Sequence, residues 1–132
     1  MATIRPMSDR SAIGTNHVLF LHGLGGDPLQ TWGDPDHPAG YFPIWLEEDL
    51  DGVSTWAVSY TAKVSNWNGS AKHFLDLSRN TLETLLTHEP TSRGSIFLFG
   101  HSLGGIVIKH LLLNAESVGH HRNDAKRFLS RV

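Results

Sequence analysis

Gly100-His101-Ser102-Leu103-Gly104-Gly105 places one serine inside a run of glycines, directly after the apolar run Ile96–Phe99. A serine with glycine two places to either side, held between a strand and a helix, is built to be a nucleophile. The turn is tight enough to strain the serine backbone, which only small neighbours permit. Gly100 and Gly104 remove side chains that would collide across it, and Gly105 is expected to let the next helix pack close to the sheet. The hydroxyl then projects at a helix N-terminus, where the dipole favours developing negative charge. The matching chemistry is acyl transfer: the serine oxygen attacks a carbonyl, and two backbone N–H groups hold the resulting oxyanion. Leu103, the residue after the nucleophile, is expected to supply one donor. A second glycine cluster, His22-Gly23-Leu24-Gly25-Gly26, follows the apolar run Val18–Leu21 and is expected to supply the other at Leu24. Gly23, Gly25 and Gly26 let that loop approach a substrate closely. His22 and His101 are expected to serve as local packing or hydrogen-bonding residues.

Two phosphate-binding readings fail on the same residues. A P-loop requires Lys and Ser/Thr after Gly105, where Ile106 and Val107 stand. A dinucleotide fingerprint beginning at Gly23 meets Pro28 at its third glycine position, and no helix opens there. No histidine pair has metal-ligand spacing, so neither metal nor cofactor is expected.

The elements that must position these motifs alternate in type. Val18–Leu21, Val53–Tyr60 and Ile96–Phe99 are strand-like, and apolar on both faces where they are richest. Between them lie a short helix over Pro43–Leu50 and a long one over Ser70–His88. The long helix carries Ala71, Phe74, Leu75, Leu82, Leu85 and Leu86 at helical spacing, with Ser78 in the same stripe. Asn66–Gly69 is expected to turn the chain, and Trp32 and Trp67 could line an acyl pocket. Ile106–Leu113 is apolar almost all round, which predicts a buried helix. The tail repeats Val118, Ala125, Phe128, Leu129 and Val132 at helical spacing. Residues 1–16 are polar and read as an irregular arm ahead of one unit over 17–132. The order β-α-β-α-β-α-α predicts an α/β fold with a parallel sheet flanked by helices.

Composition narrows the class. The 132 residues carry 11 Lys+Arg against 13 Asp+Glu, a net charge of −2, which argues against a nucleic-acid partner. The absence of cysteine excludes disulfide scaffolds and Cys-nucleophile enzymes. With no apolar signal-peptide core and no transmembrane run, the expected location is cytoplasmic. The basic tail with Arg122, Lys126, Arg127 and Arg131 allows at most a weak contact with a membrane surface.

Strand-His-Gly-Leu-Gly-Gly, Thr31-Trp32 and Gly-His-Ser-Leu-Gly-Gly-Ile-Val-Ile-Lys together resemble the α/β-hydrolase superfamily. Within it, the likeness is to the lipase-like branch of the serine-active-site-containing proteins of phosphatidylglycerol remodelling. Similar domains stand at the N-terminus of NACHT- or NB-ARC-type signalling ATPases. The resemblance covers about residues 16–132 and implies an esterase, lipase or acyltransferase acting on an ester or lipid. Its nucleophile falls on Ser102 and its oxyanion donors on Leu103 and Leu24. In that family the acid and then the histidine follow the serine on later strands. The 30 residues after Ser102 offer Glu116, Asp124, His110, His120 and His121, with no histidine after Asp124 and His120 and His121 too close behind Glu116. The resemblance therefore implies only the N-terminal half of a hydrolase domain. About three core strands are expected, with the Ile96–Phe99 edge unpaired, the triad completed and further domains following beyond residue 132. Such a half is expected to be inactive alone. The alternative is an effector or scaffold module of a larger NTPase signalling protein.

Overall fold

A computed structural model describes residues 2–9, 12–60 and 71–132. Among the described residues its sheet has four strands: β1 (Thr3–Pro6), β2 (Asn16–Leu21), β3 (Val53–Ser59) and β4 (Ser95–Gly100). They lie in the order β1-β3-β2-β4. β2 runs parallel to both β3 and β4, with Leu19 opposite Trp56 on one side and Leu98 on the other. Four α-helices complete the fold among the described residues: α1 (Phe42–Asp49), α2 (Ala71–Thr87), α3 (Leu103–Gly119) and α4 (Asn123–Leu129). The expected α/β architecture with a parallel core is present.

The continuous apolar run of β2 follows from its place in the middle. Leu19, Phe20 and Leu21 are all fully buried. Successive side chains of a strand point to opposite faces. Leu19 and Leu21 enter the larger core with Val107 and Leu111 of α3, Leu82 and Leu85 of α2 and Phe128 of α4. Phe20 enters a second, smaller core with Trp32 and Tyr41, beside Phe42 and Ile44 of α1. Each such side chain contributes about 1.5–3 kcal/mol of transfer free energy.

Three expectations require correction. Residues 1–16 are not wholly irregular: Thr3–Pro6 pairs antiparallel with β3, Ile4 opposite Val58. Four residues ending in proline carry too little alternation to announce a strand, and Pro6 fits because it closes the strand at the sheet edge. The α3 helix is longer than expected and is not buried all round. Gly104, Val107, Leu111 and Ala115 face the core, whereas Ile106 and Leu113 are more than half exposed. Both leucine and isoleucine satisfy an apolar pattern whether or not a neighbour covers them. Finally, the edge of β4 is not entirely bare. The chain returns after α4 so that Ile96 N–H donates to the Arg131 carbonyl at 2.8 Å. Beyond that bond the outer edge has no partner among the described residues, and Phe97 beside it is 56% exposed. The expected turn at Asn66–Gly69 and Trp67 lie outside the described residues.

A buried histidine ties the start of β2 to β3. Trp56 Nε1–H donates to His17 Nδ1 at 3.1 Å, and His17 Nε2 lies 2.9 Å from the Arg93 carbonyl. An indole N–H only donates and a carbonyl only accepts, so both bonds require the neutral ring with its proton on Nε2. Burial pushes the His17 pKa below its usual 6.5. The Arg93 carbonyl opposes that shift and the Arg131 charge adds to it. His88, edge-on to Trp56, is lowered too, by burial and then by His17. Folded-state values below 6.5 mean that this stability is present above the ordinary histidine pKa and is lost as pH falls through the folded one. Thermal melts of the full-length protein should therefore show Tm dropping by several degrees between about pH 7.5 and about pH 5. His17→Gln should flatten that slope, and an unchanged slope would remove the His17–Trp56 pair as its origin.

Candidate active site

The two glycine motifs emerge from neighbouring parallel strands, which brings them to one end of the sheet. β2 ends at Leu21 and delivers His22–Gly26, while β4 ends at Gly100 and delivers His101–Gly105. His101 N–H donates to the Leu21 carbonyl at 3.0 Å, continuing the β2–β4 ladder into the turn.

Ser102 is the only non-glycine among the described residues with positive φ, at φ 53° and ψ −120°. It is exposed, stands immediately before the 17-residue α3, and its hydroxyl has no hydrogen-bond partner among the described residues. Of the glycines around it, Gly100 clears the turn, while the expectations for Gly104 and Gly105 require correction. A Cβ on Gly100 would come within 2.5 Å of the Gly105 nitrogen across the turn. A Cβ on Gly104 would overlap the Leu21 carbonyl oxygen, so Gly104 is the residue that lets α3 sit against β2. A Cβ on Gly105 would meet nothing within 4 Å, so Gly105 is not the packing glycine. The two positions can be separated by mutation. Gly104→Ala should cost about 3 kcal/mol or more through forced displacement of helix from strand. Gly105→Ala should be neutral, or stabilising by up to about 1 kcal/mol through helix propensity. Chemical denaturation of both variants checks this, and equal effects would refute the assignment.

The second loop lies directly against the serine. A Cβ on Gly23 would be 3.1 Å from the Ser102 Cβ and 3.1 Å from the His101 carbonyl oxygen. Gly26 N–H closes a turn onto the Gly23 carbonyl at 3.1 Å, with Gly25 in the left-handed region at φ 65°. His22 Nδ1 lies 2.9 Å from that same carbonyl, so it carries a proton and donates. The Gly23 C=O and the Leu24 N–H belong to one planar trans peptide and point opposite ways. Two bonds that hold the carbonyl inward therefore aim the Leu24 N–H outward. Neither it nor the N–H of Leu103, first residue of α3, has an acceptor among the described residues.

Supporting groups that sequence reasoning missed come from elsewhere in the chain. Tyr60, just past β3, stacks on the His22 ring at a centroid distance of 4.3 Å and donates its hydroxyl to the His22 carbonyl. Burial raises its pKa, so it remains a donor. His22 itself is 1% exposed, and its Nε2 has no partner among the described residues. Asp27 Oδ1 accepts from the N–H groups of Leu29 and Gln30, each at 2.8 Å, and those bonds hold its carboxyl below the usual range. An Asp directly before a proline, as in Asp27-Pro28, was a readable turn signal. Trp32 is a core anchor, edge-on to Phe20 and Phe99, and meets the exposed His101 at 6.3 Å.

No described histidine pairs with Ser102. His120 and His121 follow the far end of α3, about 25 Å away at 1.5 Å per residue. His110 packs edge-on against Phe74 of α2. Asp124 is engaged by Arg122. No helix among the described residues is long and apolar enough to cross a membrane.

No family model matches the chain. It is distantly similar to Protein SERAC1 of Mus musculus, 28% identical over 117 residues, which cover 74% of this chain and 18% of the relative. The likeness to Protein SERAC1 of Homo sapiens is 25% over 118 residues, covering 76% and 18%. For Danio rerio it is 27% over 119 residues, covering 74% and 18%. The chain thus spans about a fifth of the length of the curated relatives it matches.

Proposed function

We propose that this chain carries the nucleophile half of a serine hydrolase of the α/β-hydrolase type. Ser102 attacks the carbonyl of an ester, and the N–H groups of Leu24 and Leu103 hold the oxyanion of the tetrahedral intermediate. Collapse of that intermediate expels the alcohol and leaves an acyl-Ser102, which water or a second alcohol then releases. A lipid ester is the substrate class suggested by the likeness to the lipase-like branch. The general base that takes the Ser102 proton comes, in this reading, from polypeptide beyond residue 132, together with its orienting acid. No step calls for a cofactor.

The observation that carries the proposal is the strained backbone of Ser102. A serine at φ 53° between a parallel strand and a helix, with Gly23 packed onto its Cβ, has no structural reason to be serine. A fluorophosphonate probe should label the full-length protein at Ser102, and Ser102→Ala should abolish the label. Labelling that survives the substitution overturns the assignment. Because the Ser102 hydroxyl has no partner among the described residues, a scaffold module without turnover is the second reading. Absence of any label in the folded full-length protein would favour it.

A further inference from the structure

The pole of the sheet opposite Ser102 holds a cleft of about 500 Å³ between the end of α2, the turn before β4, and α4 with the residues after it. Arg93, Arg127 and Arg131 line it, as do the hydroxyl residues Ser92 and Ser130, over an apolar floor that includes Leu86 and Phe128. Phe128 is 1% exposed. This is a site of concentrated positive charge in a protein whose overall charge is −2.

The charges there are not balanced from within. Asp124 is the one carboxylate among the described residues that line the cleft, and it is already spent. Its Oδ2 accepts from Arg122 Nη2 at 2.7 Å, and its Oδ1 accepts from Arg122 Nε at 3.1 Å and from the Ala125 N–H at 2.8 Å. Arg122 also binds Glu83, so that group of three has one surplus negative charge. Against it stand the three guanidiniums of the cleft, which leaves two positive charges. Arg131 is pinned, donating to the carbonyls of Thr91 at 2.8 Å and Gly94 at 3.3 Å. Arg93 and Arg127 make no ion pair or side-chain hydrogen bond among the described residues. Arg93 stands on the ridge between this cleft and a neighbouring one that Glu89 lines, yet it does not pair with Glu89. Arg131 is held below the usual arginine range by burial first and by repulsion from Arg127 second. Holding like charges together costs free energy, and an anion between them would recover it.

We propose that this cleft binds a phosphate monoester carried on a small apolar body, with Arg93, Arg127 and Arg131 on the phosphate and the half-buried Leu86 beneath the rest. Planar guanidiniums match phosphate oxygens with paired N–H donors, and two unpaired arginines next to a fixed third suit a dianion. The Ser92 hydroxyl, without a partner among the described residues, adds a neutral donor. The cleft begins where β4 begins and Ser102 follows where β4 ends, roughly 20 Å apart along the strand. It is therefore separate from the proposed acyl-transfer site and does not depend on that reading.

Titration calorimetry of the full-length protein with inorganic phosphate, phenyl phosphate and phosphatidic acid vesicles tests the proposal. Phenyl phosphate should bind saturably at one site and about tenfold tighter than inorganic phosphate, because the ring adds apolar contact. Arg127→Gln and Arg93→Gln, both at exposed side chains, should each weaken it about tenfold while leaving Tm and Ser102 labelling unchanged. Binding confined to vesicles, and lost in the same variants, would show that the phosphate belongs to a lipid headgroup. No saturable binding of any of the three, or binding indifferent to both substitutions, overturns the proposal.

Discussion

Ser102→Gly should destroy turnover and at the same time make the protein more stable. The two effects have one cause. At φ 53° and ψ −120° an L-residue carries about 1–3 kcal/mol of backbone strain, whereas glycine occupies such conformations freely. Glycine gives back about 0.5–1 kcal/mol through the greater freedom of the unfolded chain, so the net gain should be about 0.5–2 kcal/mol. Ser102→Ala is the necessary partner variant: it removes the hydroxyl but keeps the strain. Both substitutions should lower kcat on the order of 10⁴–10⁶-fold, the scale expected when a covalent nucleophile is lost. Only the glycine variant should melt higher, by a few degrees. Retained turnover in either variant removes Ser102 as the nucleophile. Glycine no more stable than alanine removes strain as the reason for its geometry. Strain kept at a functional atom, and tolerated because the surrounding fold enforces it, is the trade that separates a catalytic elbow from an ordinary glycine turn.

What could be read ahead of the structure follows a physical line. Strands whose both faces are covered must be apolar throughout, and β2 shows this in Val18–Leu21, so the parallel core was legible. The serine turn was legible because its steric demands fall on residues two places away. Features that depend on distant parts of the chain meeting were not. His17 and Trp56 are 39 positions apart, and nothing in either neighbourhood marks them as partners. The same holds for Tyr60 beneath His22, 38 positions away. The misplaced packing role of Gly105 has a simpler source: two adjacent glycines look alike until the helix phase is known, and about 100° of rotation decides that Gly104 is the one that meets β2. The exposure of Ile106 and Leu113 was hidden for a related reason, since an apolar residue records a preference for burial and not its fulfilment.

The role assigned to the Leu24 N–H yields the second large effect. Leu24 is 39% exposed and no described group accepts from its nitrogen, so the leucine side chain is not what holds the loop. Leu24→Ala should therefore retain most turnover. Leu24→Pro removes the donor itself and should cost on the order of 10²–10³ in kcat, the scale measured for losing one oxyanion donor. His22→Phe tests the same donor from behind. It preserves a ring for Tyr60 to stack on but deletes the Nδ1–H that pins the Gly23 carbonyl. The Gly26 N–H remains on that carbonyl, so the peptide should be loosened and not lost, and kcat should fall by roughly tenfold with KM little changed. The order Ala, then Phe at 22, then Pro at 24 is the signature of a backbone donor aimed through its own carbonyl. Equal losses from Leu24→Ala and Leu24→Pro, with KM rising in both, would mean that residue 24 contacts substrate through its side chain. The oxyanion would then have to be held by Leu103 and some other group.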